Sequence, residues 1–169
     1  MESLYFLKGE RCVLQPLRID LVGEVSKLIT QWVNDEAVTY YMFTGQKPMN
    51  QDQVAAWVKN DIEAGNIIFL VLDKKSKKPV GYAGLYEFNW IARKAEFRIL
   101  IGEKVFWGKG YGTEVTEMLT FYGFDRLNLH RIFLGYTSAN KGAGKAYEKA
   151  GYQHEGVLKD DIYRNSTYY

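Results

Sequence analysis

The chain has 169 residues, enough for one domain with its own core, and its 47% apolar and 25% charged content is that of a folded globular protein rather than a disordered one. A net charge of +2 is too small to argue for a nucleic-acid partner; one cysteine, Cys12, excludes an internal disulfide, and two distant histidines, His130 and His154, make no metal-binding pattern. The opening "MESLYFLKGERCVLQP" lacks the form of a signal peptide and no apolar run nears the ~18 residues of a membrane span, so a soluble cytoplasmic protein with no membrane association is expected.

In chain order, "CVLQPL" (12–17) reads as a first strand ended near Pro16, and Asp20 is placed to cap a helix with Val22, Val25, Leu28 and Ile29 on one face. That helix stops around "QWVND". The stretch 39–50, "TYYMFTGQKPMN", is an aromatic loop with turn signals at Gly45 and Pro48, and Asn50 precedes a helix over about 50–64 carrying Val54, Trp57, Val58 and Ile62. "NIIFLVLD", the charged turn "KKSKK" and "PVGYAGLYEF" form a hairpin, to which "KAEFRILIGE" adds a strand. A helix is expected over 113–127, a strand at "RIFLGYT", a short helix at "NKGAGKAYEKAG" closed by Gly151, and a last clear strand at "YQHEGVL". These elements predict one domain over 1–169 of α/β (α+β) class, a mixed, mostly antiparallel central sheet of about six to seven strands flanked by helices. The end "DIYRNSTYY" is aromatic and strand-like, which leaves a truncated chain or an edge that pairs with another subunit in a homodimer as alternatives.

Between the strand and the helix lies "WGKGYGTEV" (107–115), with Gly108, Gly110 and Gly112 at every second position. A Walker loop fails here, because Lys109 is followed by Gly110 rather than by Ser or Thr. A dinucleotide fingerprint fails as well, because Thr113 stands where its third glycine should be. What remains is a strand, a glycine turn whose amides can point inward together, and a helix N-terminus, which suits a diphosphate. A turn that merely needs positive φ is the plainer alternative.

The stretches "ILIGEKVFWGKGYGTEVTEMLTFYGF" and "LNLHRIFLGYTSANKGAGKAYEKAGYQHEG" resemble the GNAT superfamily of acetyl-CoA-dependent N-acetyltransferases. The opening "GERCVLQPLRIDLVGEVSKLITQWVNDEAVTYYM" is similar to the branch holding ribosomal-protein N-terminal and nucleotide-linked amino-sugar acetyltransferases, so the resemblance covers nearly the whole chain. It implies a sheet splayed where CoA binds, with acetyl-CoA as donor and no metal. The glycine turn from Trp107 through Gly108, Lys109, Gly110, Tyr111, Gly112 and Thr113 would cradle the diphosphate. Trp107 departs from the Gln or Arg with which many members begin this motif. The backbone of Ile99, Leu100 and Ile101 would pair with the pantetheine arm, Asn140 would cap its helix and reach a pantetheine amide, and Lys145 would approach the phosphates. The resemblance also makes Tyr147 the general acid toward the CoA sulfur; a packed core tyrosine is the alternative.

Acetyl transfer to an amine needs the neutral amine, although an alkyl ammonium with a pKa near ~10 is protonated at neutral pH, so a base or a water chain to one is required. Alternation puts Glu96 and Arg98 on one face of their strand, making Glu96 the first candidate, with Glu87 second; Glu96 as a solvated strand-end carboxylate paired with Arg98 or Lys94 is the competing reading. Trp32, Tyr40, Tyr41 and Phe43, with Glu87, are expected along the acceptor pocket, where a small-molecule or peptide amine would sit, core packing being the alternative for the four aromatics. Candidate acceptors are a protein N-terminus, a nucleotide-linked amino sugar, a polyamine or an antibiotic. A non-catalytic CoA-binding module of the same fold is the alternative to an enzyme.

Overall fold

The strand and helix periods take shape in a computed structural model that describes residues 4–169. Six strands, β1 (Leu7–Lys8), β2 (Cys12–Pro16), β3 (Ile67–Asp73), β4 (Pro79–Asn89), β5 (Lys94–Ile101) and β6 (Arg131–Phe133), form one sheet in sequence order. Every pairing is antiparallel except β5 with β6, which is parallel and links Lys94, Ala95 and Glu96 to Arg131, Ile132 and Phe133. The helices are α1 (Val22–Val33), α2 (Glu36–Thr39), α3 (Gln51–Glu63), α4 (Tyr111–Asp125) and α5 (Lys141–Lys149), and a separate hairpin joins β7 (Tyr163–Arg164) to β8 (Thr167–Tyr168).

The sheet is covered on both faces because its strands alternate between two cores. Phe97 of β5, with Leu85, Val71 and Leu14, packs against Val115, Leu119 and Tyr122 of α4. Leu100, three residues on and so on the opposite face, joins Tyr82, Tyr86 and Leu70 under Ile29, Trp32 and Val33 of α1 and Val54 and Val58 of α3. Helix α3 starts at a full capping box in which Asn50 and Gln53 exchange side-chain and backbone bonds of 2.9 Å.

Several expectations need correction. Asp20 does not cap α1: it lies in a 3-10 turn at Ile19–Leu21 and its carboxylate binds Arg18 at 3.0 Å instead. The "RIFLGYT" strand is three residues long, since beyond Phe133 the chain leaves β5. "YQHEGVL" forms no strand. Residues 153–158 are exposed on both alternating faces, so no apolar face drives pairing, and Glu155 turns back to bind Arg131 at 2.6 Å. The two-residue strand β1 and the one-turn helix α2 are too short for any period to reveal. At the C-terminus, Asn165 and Ser166 both take positive φ, 51° and 60°, the geometry of a tight hairpin turn.

Candidate active site

Because β6 stops at Phe133 while β5 continues to Ile101, one edge of β5 from Phe97 to Ile101 faces a gap rather than a strand. This is the parting expected at Ile99, Leu100 and Ile101. The Ile101 carbonyl at its far end accepts from the Trp107 indole at 2.8 Å, so Trp107, half exposed, ties the end of β5 to the turn that follows.

The turn itself is built from strained positions. Gly108 and Gly110 have φ of 69° and 86°, and Gly110 is the residue from which α4 departs. The first amide bonded back into the helix is that of Glu114, to the Gly110 carbonyl, so the preceding amides have no intrahelical acceptor and carry the positive end of the helix dipole. Nothing lies within 4 Å of where a Cβ on Gly108 or Gly112 would be, and at Gly110 the nearest neighbour is the Arg11 side chain, 3.3 Å away. An exposed glycine turn with open space at Gly108 and Gly112, and with the first amides of α4 lacking an intrahelical acceptor, suits a diphosphate, so the residues present fit the phosphate end of CoA. The Tyr111 side chain points away from it: it is buried, stacks edge-on to Phe106 and donates to Asp73 at 2.5 Å, leaving only its backbone for the cradle. Thr113 is half-buried in the first turn of α4, and Lys109 and Lys145 are exposed without an ion pair among the described residues.

Tyr147 projects from α5 onto β5, with its ring 6.3 Å from that of Phe97, 5.6 Å from Tyr136 and 6.3 Å from Tyr152. It therefore stands where the gap opens. Burial, reinforced by Tyr152 and Tyr136, pushes its hydroxyl up to about 12. Tyr152 bonds Thr120 and Tyr111 bonds Asp73, whereas the Tyr147 hydroxyl has no hydrogen-bond partner among the described residues and, since none of their fully buried polar side-chain atoms lacks one, keeps some access to solvent. Asn140 caps α5, its Oδ1 accepting from the Ala143 amide at 3.1 Å, and its side-chain amide nitrogen has no partner among the described residues.

On the opposite face of β5, Glu96 binds Arg98 at 2.6 and 3.0 Å, as the surface-pair reading required. Arg98 also takes Glu87, and its guanidinium lies 4.8 Å from the centre of the Tyr86 ring. Glu87 sits in an irregularity of β4 with φ of 52°, its amide held by Asn66. Asp61 of α3, which the sequence reading passed over, lies beside this group: burial raises its pKa, opposed by Arg98, and Asn66 bonds it at 3.4 Å. A single acidic residue in an amphipathic helix carries no signal that could have marked it.

The acceptor loop is only partly as expected. Trp32 is a core residue, 3% exposed, packed against Gly102 and donating to Glu103 at 2.9 Å; a stacking role in an acceptor pocket is therefore replaced by a structural one. Tyr40 and Phe43 are exposed, and Tyr40 meets Tyr41 edge-on at 4.8 Å. The Thr137 hydroxyl donates to the Tyr41 carbonyl at 2.7 Å, which brings this loop to the segment leading into α5. Hollows elsewhere, one bordered by Leu28, Pro79 and Val105 and one by Gly45, Gln46 and Arg164, include neither Tyr147 nor the glycine turn.

Comparison with known proteins agrees with this geometry. The acetyltransferase (GNAT) domain matches residues 11–153. Spermidine N(1)-acetyltransferase of Vibrio cholerae is 35% identical over 98 residues, 58% of this chain and 56% of that enzyme, so the chain spans little more than half the length of that curated relative. The uncharacterized N-acetyltransferase p20 of Bacillus licheniformis is 27% identical over 162 residues, 95% of this chain and 87% of its own. The crystal structure of spermidine N-acetyltransferase from Vibrio cholerae in complex with CoA and spermine superposes with a TM-score of 0.81 at 28% identity, covering 95% of this chain and 91% of that one.

Proposed function

Since the chain belongs to the acetyltransferase (GNAT) domain family, we propose that it moves the acetyl group of acetyl-CoA to a primary amine, with an aliphatic polyamine as the acceptor class. The observation that carries this reading is the Tyr147 hydroxyl, largely buried and without a hydrogen-bond partner among the described residues, beside the parting of β5 and β6. Acetyl-CoA supplies an acyl group already activated as a thioester. The free amides of the glycine turn hold its phosphate end, and the open edge of Phe97 to Ile101 aligns the arm between phosphate and thioester.

The amine attacks the thioester carbonyl; a C–N bond forms, the C–S bond breaks, and the leaving sulfur needs a proton. Tyr147 can donate it. A hydroxyl held at about 12 stays protonated through the range in which an amine loses its proton, so the donor does not compete with the acceptor for ionisation. The amine arrives from the other face of β5, where Glu96, Glu87 and Asp61 gather around Arg98. These carboxylates suit a substrate with more than one ammonium, and one of them, or a water beside it, takes the proton released by the attacking nitrogen. The relatives named for spermidine support the polyamine class over the peptide and sugar amines.

The test is an acceptor panel with acetyl-CoA: spermidine, spermine, a peptide with a free N-terminus and a nucleotide-linked amino sugar. Polyamines should give the highest kcat/KM. Turnover confined to the peptide or sugar would overturn the acceptor class, and turnover of none would leave a CoA-binding module.

A further inference from the structure

The glycine turn has a cation beside it that comes from the far end of the chain. Glu114, in the first turn of α4, is almost fully buried and accepts from the Arg11 amide at 2.9 and 3.1 Å and from the Cys12 amide at 3.5 Å. Its second oxygen takes Nη1 of Arg11 at 3.3 Å. That bond leaves the Arg11 side chain half exposed, lying along Gly110 with Nε and Cζ 3.3 and 3.6 Å from the position of an added Cβ. Exposed Glu10 approaches only to 3.7 Å, so among the described residues most of the guanidinium donors remain uncommitted. Lys109, within the turn, is exposed and without an ion pair among the described residues, whereas the Arg11 backbone and one guanidinium nitrogen are both fixed.

We propose that Arg11 is a phosphate-binding residue, its guanidinium held beside Gly110 by Glu114 and contacting a phosphate of the acyl donor lodged at the glycine turn. The planar fork of arginine matches phosphate oxygens two at a time, and fixing it in advance lowers the entropy lost on contact. Glu114 serves a second purpose. A buried carboxylate at a helix N-terminus would repel an anion there, and the Arg11 pair neutralises it. The inference rests on the reading of the turn as a CoA cradle.

The experiment compares CoA, dephospho-CoA and the phosphate-free S-acetylpantetheine as ligands of the parent protein and of Arg11→Gln, by calorimetric titration. The parent should bind CoA; if it does not, the cradle reading falls and Arg11 with it. Arg11→Gln should bind CoA roughly tenfold to a hundredfold more weakly, with S-acetylpantetheine unchanged. An equal loss for dephospho-CoA assigns the contact to the diphosphate, and a smaller loss assigns it to the third phosphate. Unchanged CoA binding, or equal weakening of S-acetylpantetheine, overturns the proposal. Should Arg11→Gln fail to fold, the parent protein decides: saturating CoA should shield Arg11 from phenylglyoxal, read by peptide mass spectrometry, while pantetheine should not. An Arg11 modified equally in both cases overturns it.

Discussion

A single side chain at Gly110 tests the cradle. Valine there would be forced to a φ of 86°, which β-branched residues avoid, and would press on Arg11. Gly110→Val should lose at least about tenfold in CoA affinity while its circular dichroism stays native, because the strain is local to one turn. Tyr147→Phe separates catalysis from packing: the ring contacts with Phe97 and Tyr136 remain and only the proton donor goes. We expect kcat to drop by ~10²-fold to ~10⁴-fold, with little change in CoA binding. Full activity would return Tyr147 to the core. Asp73 predicts a pH effect. Its bond from Tyr111, then those from Ser76, hold its carboxyl down at about 2. The folded value lies below the unfolded ~3.9, so this stabilisation is complete above pH ~4 and is lost as pH falls toward 2. In thermal melts across that window, the parent should lose stability more steeply than Asp73→Asn; parallel curves would refute the coupling.

At the scale of elements, α5 matters because it carries Tyr147, and its start depends on one bond from Asn140. Asn140→Ala should cost about 1 kcal/mol in chemical denaturation, whereas Asn140→Asp should keep the cap. If the Asn140 amide also contacts the donor, Asn140→Asp will bind CoA more weakly at unchanged stability. Elements with a strong period were legible in advance: the hairpin from Ile67 to Asn89, α3 with its Asn50 cap, and β5 with Glu96 and Phe97 on opposite faces. Those without one were not. Asp20 had the right residue type for a cap, but a 3-10 turn and the Arg18 pair took it instead. "YQHEGVL" had β-like composition but no buried face, and strand formation is decided by what a strand packs against. The site divides along the same line. The glycines stand out by their spacing and Tyr147 only through the family resemblance, while Trp32 takes the core-packing alternative, because aromatic composition does not say whether a ring lines a pocket or fills a core. Arg11 and Glu114 were invisible because nothing local in the sequence relates positions so far apart.

The whole molecule is one sheet with a core on each face, and the proposed chemistry draws on both: Tyr147 reaches β5 from the α4 side, the carboxylates from the α1 and α3 side. Stability and donor binding are therefore linked through α4. Leu119, fully buried there, should cost about 2–5 kcal/mol when replaced by alanine, against less than about 0.5 for fully exposed Ile91, as measured by denaturant midpoints. Equal midpoints would mean that α4 is not the wall of that core. The tie between Arg11 and Glu114 also bears on the order in which the chain is made. They are 103 residues apart. At ~5–20 residues per second, a ribosome delivers the second roughly 5 to 20 s after the first, by which time β2, β3 and β4 have long been able to pair. Until then the Arg11 and Cys12 amides lack their acceptor, and Leu14 and Phe69 lack the helix that covers them. The tie that holds Arg11 beside the glycine turn thus forms only after the sheet has been able to pair, and a chain interrupted before residue 114 is a sheet with one face bare.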